Sequence, residues 1–158
     1  MCGSLLMILE SRSESTSQRG LIGMTAVLNA LVARGYEVLL PWGDHRRYDL
    51  AFVQPEESLI NGELRLMRVQ CKVARLSPDG GYITFNPYNI IPGEKGRRSV
   101  KRGYLGDAEY FGVYSPDTGK VYLILVSEVP GTWDVKLRIK KSKNNQEKGV
   151  RWAYKYEL

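Results

Sequence analysis

Residues 64–74 read Leu-Arg-Leu-Met-Arg-Val-Gln-Cys-Lys-Val-Ala, and this stretch decides the fold. It is rich in aliphatic residues, and Ser-Pro-Asp-Gly-Gly at 77–81 follows it as a turn signal, so the sequence predicts a strand here. Successive side chains of a strand point to opposite faces. One face is apolar, belongs in the core, and carries Val69, Cys71 and Val73. The other face is polar and carries Arg68, Gln70 and Lys72.

An acid, Asp49, lies at the start of the preceding predicted strand, 48–53. If the two strands are neighbours in a sheet, Asp49, Gln70 and Lys72 converge on one point. Hydrolysis of a phosphodiester needs a Lewis acid on the phosphate and an activated water. Mg²⁺ takes oxygen ligands, which the Asp49 carboxylate, the Gln70 side-chain carbonyl and the Cys71 backbone carbonyl offer. Lys72 can hold the attacking water or stabilise the developing charge. The alternative is a polar strand face in contact with solvent.

The segment 18–34 has the spacing of a helix, and Gly35 follows it as a C-terminal stop. Because apolar residues occupy most of its circumference, we expect this helix to be largely buried. Residues 1–17 are predicted as a leader, whose polar part, 11–17, offers helix N-caps. The sequence leaves open whether the leader packs, forms an oligomer contact or is disordered.

Short strands are predicted after the helix, and two of them flank Ser-Pro-Asp-Thr-Gly at 115–119 as a hairpin. Residues 82–85 are predicted to return as a hairpin partner of the strand at 64–74, and 94–102 as a basic loop. The predicted strands are 36–40, 48–53, 64–74, 82–85, 110–114, 120–126 and 133–139. The chain is therefore expected to form one α/β domain, a buried helix followed by a mostly antiparallel mixed sheet.

Composition excludes several classes of protein. The chain has 158 residues, enough for one domain with a core, and its two cysteines and one histidine rule out a disulfide framework or a zinc cluster of the usual spacing. Residues 1–94 carry 9 Lys or Arg against 10 Asp or Glu, whereas residues 95–158 carry 14 against 7. The positive excess therefore lies in the second part, which indicates an extended polyanionic partner or a solubilising surface.

Basic residues in four regions of the chain are candidates for contacts with phosphate groups. The candidates are Arg46, Arg47, Arg68, Lys95, Arg97, Arg98, Lys101, Arg102, Lys136, Arg138, Lys140, Lys141 and Lys143. Tyr82, Tyr88 and Tyr104 are expected either to contact nucleotides or to pack in the core. Trp133 and Trp152 are predicted as core residues, and Asp107 as a turn or capping acid.

An ordered series of segments resembles the PD-(D/E)XK nuclease superfamily, and within it the small endonucleases associated with group I introns. That branch commonly has glutamine in place of the second acid, as in Gln70-Cys71-Lys72. The matching segments are 34–38, 41–44, 47–50, 70–72, 107–114, 116–119, 121–123, 143–146 and 151–153. The resemblance covers residues 18–158, which are expected to form a single nuclease domain with a basic C-terminal part.

The resemblance implies a restriction-endonuclease-like core and a DNA endonuclease of the homing type. Asp49, Gln70 and Lys72 would be its catalytic residues, and Asp49, Gln70 and the Cys71 carbonyl would bind Mg²⁺, or Mn²⁺ as a substitute. It also implies a specific double-stranded DNA target and a homodimer or higher homo-oligomer. No organic cofactor and no membrane are expected, and the location implied is the cytoplasm, or the nucleoid in a bacterium.

One position departs from the family pattern. Alignment at Gly20 puts Met24 where the family has a helical glutamate that faces the metal, and a thioether is a poor ligand for Mg²⁺. Glu14 or Glu10 could supply the third acid, or activity could persist without one. Alternatively the chain is a catalytically degenerate DNA-binding module. A nuclease that resolves four-way DNA junctions is a further alternative.

Overall fold

The computed structural model describes residues 15–43, 45–54, 64–93, 98–141 and 148–158. One helix, α1 (Thr16–Ala33), precedes ten short strands. The strands are β1 (Val38–Leu39), β2 (Leu50–Val53), β3 (Leu66–Val73), β4 (Arg75–Leu76), β5 (Tyr82–Phe85), β6 (Tyr88–Ile91), β7 (Val100–Gly103), β8 (Tyr110–Ser115), β9 (Lys120–Leu125) and β10 (Val135–Arg138). Two single-turn 3₁₀ helices lie at Val126–Glu128 and Ala153–Lys155. No helix of the described residues is long and apolar enough to cross a membrane.

The main sheet has five strands in the order β1-β2-β3-β8-β9. All of its neighbouring strands are antiparallel except β3 and β8, which pair in parallel with Gln70 opposite Phe111. Between β3 and β8 the chain makes a two-stranded ribbon, β6-β7, and the strands β4 and β5, which form a second sheet with the later strand β10 in the order β10-β5-β4. The expected α/β architecture, one helix with a mostly antiparallel mixed sheet, is confirmed.

Helix α1 begins where Ser15 caps it, since the Ser15 hydroxyl accepts a hydrogen bond from the Gln18 backbone N–H at 3.2 Å. The helix packs across β3 and β8 through Gly23, Val27 and Leu31, its fully buried residues. These positions are four residues apart and therefore lie on one stripe of the helix.

The prediction of a largely buried helix is wrong in its extent. Leu21 is 61% exposed and Val32 is 52% exposed. The sheet fully covers a single stripe of α1, Met24 and Leu28 beside that stripe are only partly buried, and the apolar residues on the far side are exposed in the described part.

The helix approaches the sheet very closely at Gly112 in β8. A Cβ atom on Gly112 would lie 2.6 Å from Val27 Cγ1 and 2.9 Å from Val69 Cγ1, distances that carbon atoms do not adopt without displacement. A Cβ on Gly23 would lie 2.5 Å from Val73 Cγ2. Two glycines on facing surfaces therefore set the distance between helix and sheet.

Several other predictions can be compared with the structure. The hairpin at 115–119 is confirmed, with Tyr110 opposite Leu125 and Ser115 opposite Lys120. Residues 82–85 form a strand, but it pairs with β4 and β10 and not with β3, because the long strand breaks at Ala74 before β4 begins.

Two further predictions are wrong. The basic loop contains a strand, β7, whose lysine and arginine are exposed while its backbone pairs with β6. Trp133 is 83% exposed and thus not a core residue, since it lies in a bend before β10 and not on the inner face of that strand.

We expect Gly112→Ala to lower the free energy of unfolding by about 2 kcal/mol, because the added methyl group overpacks the contact between α1 and the sheet. Gly20→Ala is the matched control: a Cβ there meets nothing within 4 Å, so it should raise stability by up to about 1 kcal/mol through helix propensity. Urea denaturation of the three proteins measures both effects. Equal midpoints for Gly112→Ala and wild type would contradict the packing account.

Candidate active site

The antiparallel pairing of β2 and β3 puts Leu50 opposite Val69, so Asp49, which immediately precedes β2, lies beside Gln70 and Cys71. The Asp49 backbone N–H donates to the Val69 carbonyl at 2.9 Å. Asp49 Oδ2 accepts hydrogen bonds from Gln70 Nε2 at 2.5 Å and from the Cys71 backbone N–H at 2.6 Å. The carboxylate is therefore held against β3 by two short contacts.

Burial raises the pKa of Asp49 above its ordinary value, although the Cys71 N–H, the charge of Lys72 and the Gln70 amide all act in the opposite direction. The anion thus pays a desolvation penalty that its hydrogen bonds do not fully offset. A cation placed beside Asp49 would relieve that penalty.

Lys72 projects from the polar face of β3 into a pocket made by two tyrosines. Its Nζ donates to the Tyr88 carbonyl at 3.3 Å and to the Tyr104 hydroxyl at 3.4 Å, and it lies 4.7 Å from the centroid of the Tyr104 ring. The pKa of Lys72 is lowered to about 8, mainly by burial and in smaller part by the positive charge of Arg47, while the charge of Asp49 opposes the shift. The sequence-based expectation that Asp49, Gln70 and Lys72 lie together agrees with this geometry.

Arg47 also packs against the ring of Tyr104. Its guanidinium carbon lies 4.7 Å from the Tyr104 ring centroid, and its nitrogens donate to Asp107 Oδ2 at 2.6 Å and to the Gly103 carbonyl at 3.1 Å. Arg102 forms a longer ion pair with Asp107, 3.6 Å. Both arginines were candidates for DNA contacts, and in the structure their charges are partly neutralised by one acid. Asp107 acts as this shared partner, a role that the sequence did not indicate.

Arg68 is also paired. Its guanidinium donates to both carboxylate oxygens of Glu109, the shortest contact being 2.6 Å, and its backbone N–H donates to Glu109 Oε2 at 2.7 Å. This pair joins the starts of β3 and β8. Burial is the largest single effect on the pKa of Glu109 and raises it. The hydrogen bonds and charge of Arg68 together outweigh burial, so the pKa is below its ordinary value. Contact of Arg68 with DNA remains a prediction.

Cys71 and Met24 lie on the helix side of β3. Cys71 is packed against the apolar cluster beneath α1, and burial raises the pKa of its thiol, which disfavours a nucleophilic thiolate. Met24 lines a cavity together with Asp49, Gln70 and Cys71. Met24, which the sequence resemblance aligned with a glutamate, therefore borders the candidate site.

The polar atoms that border this cavity include carboxylate and carbonyl oxygens, the type of ligand that a hard divalent cation such as Mg²⁺ prefers. Gln70 Nε2 lies 2.5 Å from Asp49 Oδ2 and 3.4 Å from the Cys71 carbonyl oxygen, so these two oxygens border one common point. For Gln70 to bind through its own oxygen, its amide must turn over and give up the bond to Asp49. The described residues contain no cluster of three or more His, Cys, Asp or Glu side chains. The donor set thus has one negative charge, and Glu10 and Glu14 lie outside the described residues.

The cavity continues along β3 as a groove. A second cavity shares Gly20 and Cys71 with the first and adds Arg19, Lys72 and Arg75. A third shares Lys72 and Arg75 and extends to residues 85–90. Arg19 and Arg75 were missed by sequence reasoning, because neither belongs to a charge run. Arg75 follows the break at Ala74, so the alternation of β3 does not predict its direction.

The other candidates for phosphate contacts are at the surface where they are described. Arg46, Arg98, Lys101, Lys140 and Lys141 are exposed. Lys101 Nζ lies 4.2 Å from the centroid of the Tyr88 ring, which it covers. Lys95, Arg97 and Lys143 lie outside the described residues.

Comparison with known proteins agrees with this architecture. A family model described as PD-(D/E)XK endonuclease matches residues 14–158, which confirms the resemblance found in the sequence. Among solved structures, a bacterial homing endonuclease, I-Ssp6803I, matches with a TM-score of 0.69 and 21% sequence identity, over 90% of this chain and 88% of that chain. At that identity the likeness shows a shared fold. Comparison with curated proteins gives no match.

The Arg68–Glu109 pair generates a pH-dependent prediction. We expect Glu109→Gln to lower the free energy of unfolding at pH 7 by about 1 kcal/mol. The pKa of Glu109 in the folded protein is below its ordinary value of 4.5, so the pair stabilises fully above that pH and its contribution is lost as the pH falls through the folded pKa. The difference between variant and wild type should therefore shrink below pH 4.5.

Urea denaturation between pH 3 and pH 7, a range of about four units, measures this difference. Glu37→Gln is the control, because Glu37 is exposed and forms no ion pair with a described residue. A Glu109→Gln penalty that is the same at every pH would contradict the assignment.

Proposed function

Because the chain belongs to the PD-(D/E)XK endonuclease family, we propose that it is a Mg²⁺-dependent endonuclease that hydrolyses phosphodiester bonds in double-stranded DNA. The observation that carries the proposal is the convergence of a half-buried carboxylate (Asp49), an amide (Gln70) and a half-buried ammonium (Lys72) along one groove.

The proposed metal ligands are Asp49 Oδ2, the Cys71 backbone carbonyl and, after its amide turns, the side-chain oxygen of Gln70. Mg²⁺ bound there would act as a Lewis acid on the scissile phosphate. The protein's own contribution is to fix these oxygens, and the Cys71 N–H does so by holding the Asp49 carboxylate at 2.6 Å. The raised pKa of Asp49 supports the role, since an anion with unrelieved desolvation favours a cationic ligand.

Lys72 is proposed to contact the reacting phosphate or the attacking water. An ammonium has three donors, and Tyr88 and Tyr104 accept two of those of Lys72 among the described residues. The third is available to a phosphate oxygen or to a water molecule. Because Tyr88 and Tyr104 hold Nζ from two directions, the charge is positioned before substrate binds, which is the condition for electrostatic stabilisation of a transition state.

The proposed target is a specific duplex of the homing type. The family resemblance supports this, and the matched solved structure is described as a homing endonuclease. One groove per chain cuts one strand, so a double-strand cut requires at least a homodimer. The alternative with structural support is a DNA-binding module without activity, because Met24 lines the cavity where a third acid would add negative charge.

Cleavage of a library of duplexes in Mg²⁺ tests the proposal. We expect wild type to cut a subset of the library, while Asp49→Asn and Lys72→Ala lose at least about 100-fold in rate, since each removes a charge from the reacting centre. Both should still bind DNA. Arg34→Ala, at the far end of α1, is the control and should cut like wild type. Wild type that binds DNA but cuts no duplex or four-way junction would leave the binding module as the function.

The Met24 position allows a gain-of-function experiment. Met24→Glu adds a second anionic oxygen donor to the cavity, and we expect it to lower the Mg²⁺ concentration for half-maximal cleavage by about tenfold. Met24→Gln introduces a side chain of nearly the same size as glutamate but without its charge, so its Mg²⁺ concentration for half-maximal cleavage should stay close to that of wild type. If the two variants behave alike, the position does not face the metal.

A further inference from the structure

The second sheet, β10-β5-β4, has an outer face that the proposed chemistry does not use. Its inner face is apolar, and Ile83, Phe85, Val135 and Leu137 are all buried there. Strand alternation therefore turns the intervening residues outward. The outer face carries Arg75, Tyr82, Thr84, Lys136 and Arg138, and we call it the outer basic face.

The register of the strands arranges these residues in two rows. Thr84 in the middle strand lies opposite Arg75 on one side and Lys136 on the other. Tyr82 lies opposite Arg138. Neighbouring strands are about 4.8 Å apart, so the first row spans about 10 Å with a cation at each end. That length corresponds to about three base steps of a duplex at 3.4 Å per step.

The cations of this face are held in place without being neutralised. Lys136 Nζ and Arg138 Cζ lie 4.9 and 5.7 Å from the centroid of the Tyr82 ring. Among the described residues, neither of them, nor Arg75, forms an ion pair. This differs from Arg47 and Arg68 near the active site, whose charges are taken up by carboxylates.

Two acids border the face, and both have other partners. Asp79 lowers the net charge near Arg138, but its Oδ1 accepts hydrogen bonds from the Ser77 hydroxyl at 2.6 Å and the Gly81 N–H at 3.0 Å. Asp134 Oδ1 accepts from the Tyr88 hydroxyl at 3.2 Å. Neither carboxylate forms an ion pair with Arg75, Lys136 or Arg138 among the described residues, although the two negative charges reduce the net charge of the face.

The outer basic face is continuous with the groove of the active site. Arg75 is the connecting residue, because it lines the two cavities that contain Lys72 and is also the first member of the row across Thr84. A ligand that passes Lys72 and continues beyond Arg75 reaches Lys136 next. A short anion would occupy one of these positions, whereas an extended polyanion occupies all of them.

We propose that the outer basic face binds the sugar–phosphate backbone of duplex DNA on one side of the cleavage point. This rests on the proposed function for the identity of the polyanion. The contacts are to successive phosphates, by Arg75, by Lys136 with the Thr84 hydroxyl beside it, and by Arg138. They carry no base specificity, and they set the register of the duplex in the groove.

Salt titration of DNA binding tests the proposal without any need to know the target. Wild type, Lys136→Gln/Arg138→Gln and Arg75→Gln are titrated against a mixed-sequence duplex by fluorescence anisotropy, in EDTA so that no cutting occurs. Each lost phosphate contact reduces the slope of log K against log salt by about 0.9. We expect a decrease of about 2 for the double variant and about 1 for Arg75→Gln.

The matched control is Arg34→Gln/Arg65→Gln, which removes two exposed arginines at the ends of α1 and β3 that are remote from Lys72. Its slope should equal that of wild type. A double variant with the wild-type slope, or a control that loses as much as the double variant, overturns the proposal. The melting temperatures of all variants are measured as a control for folding. Equal melting temperatures would show that a change in the salt slope does not come from unfolding.

The result of the salt titration can be distinguished from the result of the cleavage experiment. If wild type cuts DNA in Mg²⁺ but the slope of Lys136→Gln/Arg138→Gln is unchanged, the endonuclease stands and the outer basic face is not its DNA contact. If the slope falls as expected but wild type cuts no DNA, the surface stands and the nuclease proposal fails. If wild type does not bind duplex DNA at all, both fail.

Discussion

The close approach of helix α1 to the main sheet is the constraint on which the rest of the structure depends. Gly112 leaves no room for a Cβ atom against Val27 and Val69, and Gly23 leaves none against Val73. The helix therefore lies directly on β3 and β8, and its first turns reach the C-terminal half of β3, where Gln70, Cys71 and Lys72 lie. Without this contact, Met24 would not line the cavity that contains Asp49, and the groove would have no wall on that side.

The electrostatics of the groove follow from that packing. Burial raises the pKa of Asp49 and lowers that of Lys72, so each charged group bears a desolvation cost that the other relieves only in part. Such a pair adds little to the stability of the fold, because the attraction between two charges removed from water seldom exceeds the cost of their desolvation. It is well suited to binding a cation beside the carboxylate and a phosphate beside the ammonium. The shifted pKa values in one groove are thus consistent with a site of chemistry.

The sequence predicted the convergence of Asp49, Gln70 and Lys72 better than it predicted the burial and charge pairing of the surfaces. The alternation of β3 and the position of Asp49 at the start of β2 were enough to bring the acid, the amide and the lysine together, because a strand has a fixed period of two. Three features were not predictable from local pattern. Arg47 and Arg68 are paired with Asp107 and Glu109, residues about 60 and 41 positions away. Arg75 joins the groove only because the strand breaks at Ala74. The exposed side of α1 depends on which stripe of the helix the sheet covers. Because apolar residues occur all around the helix, the sequence pattern does not indicate which stripe that is.

The central claim is that Asp49, Gln70 and Cys71 together form a divalent cation site, and paramagnetic broadening of backbone amide signals tests it most directly. Mn²⁺ substitutes for Mg²⁺ at oxygen donors and broadens nuclei close to it. On titration of the ¹⁵N-labelled protein with Mn²⁺, the account predicts that the amides of Asp49, Gln70 and Cys71 broaden first, and that excess Mg²⁺ restores them. The amide of Arg65, six residues before Cys71 along an extended stretch of chain and therefore about 20 Å away, should broaden last. Broadening that begins elsewhere, or that is the same in Asp49→Asn, would contradict the account.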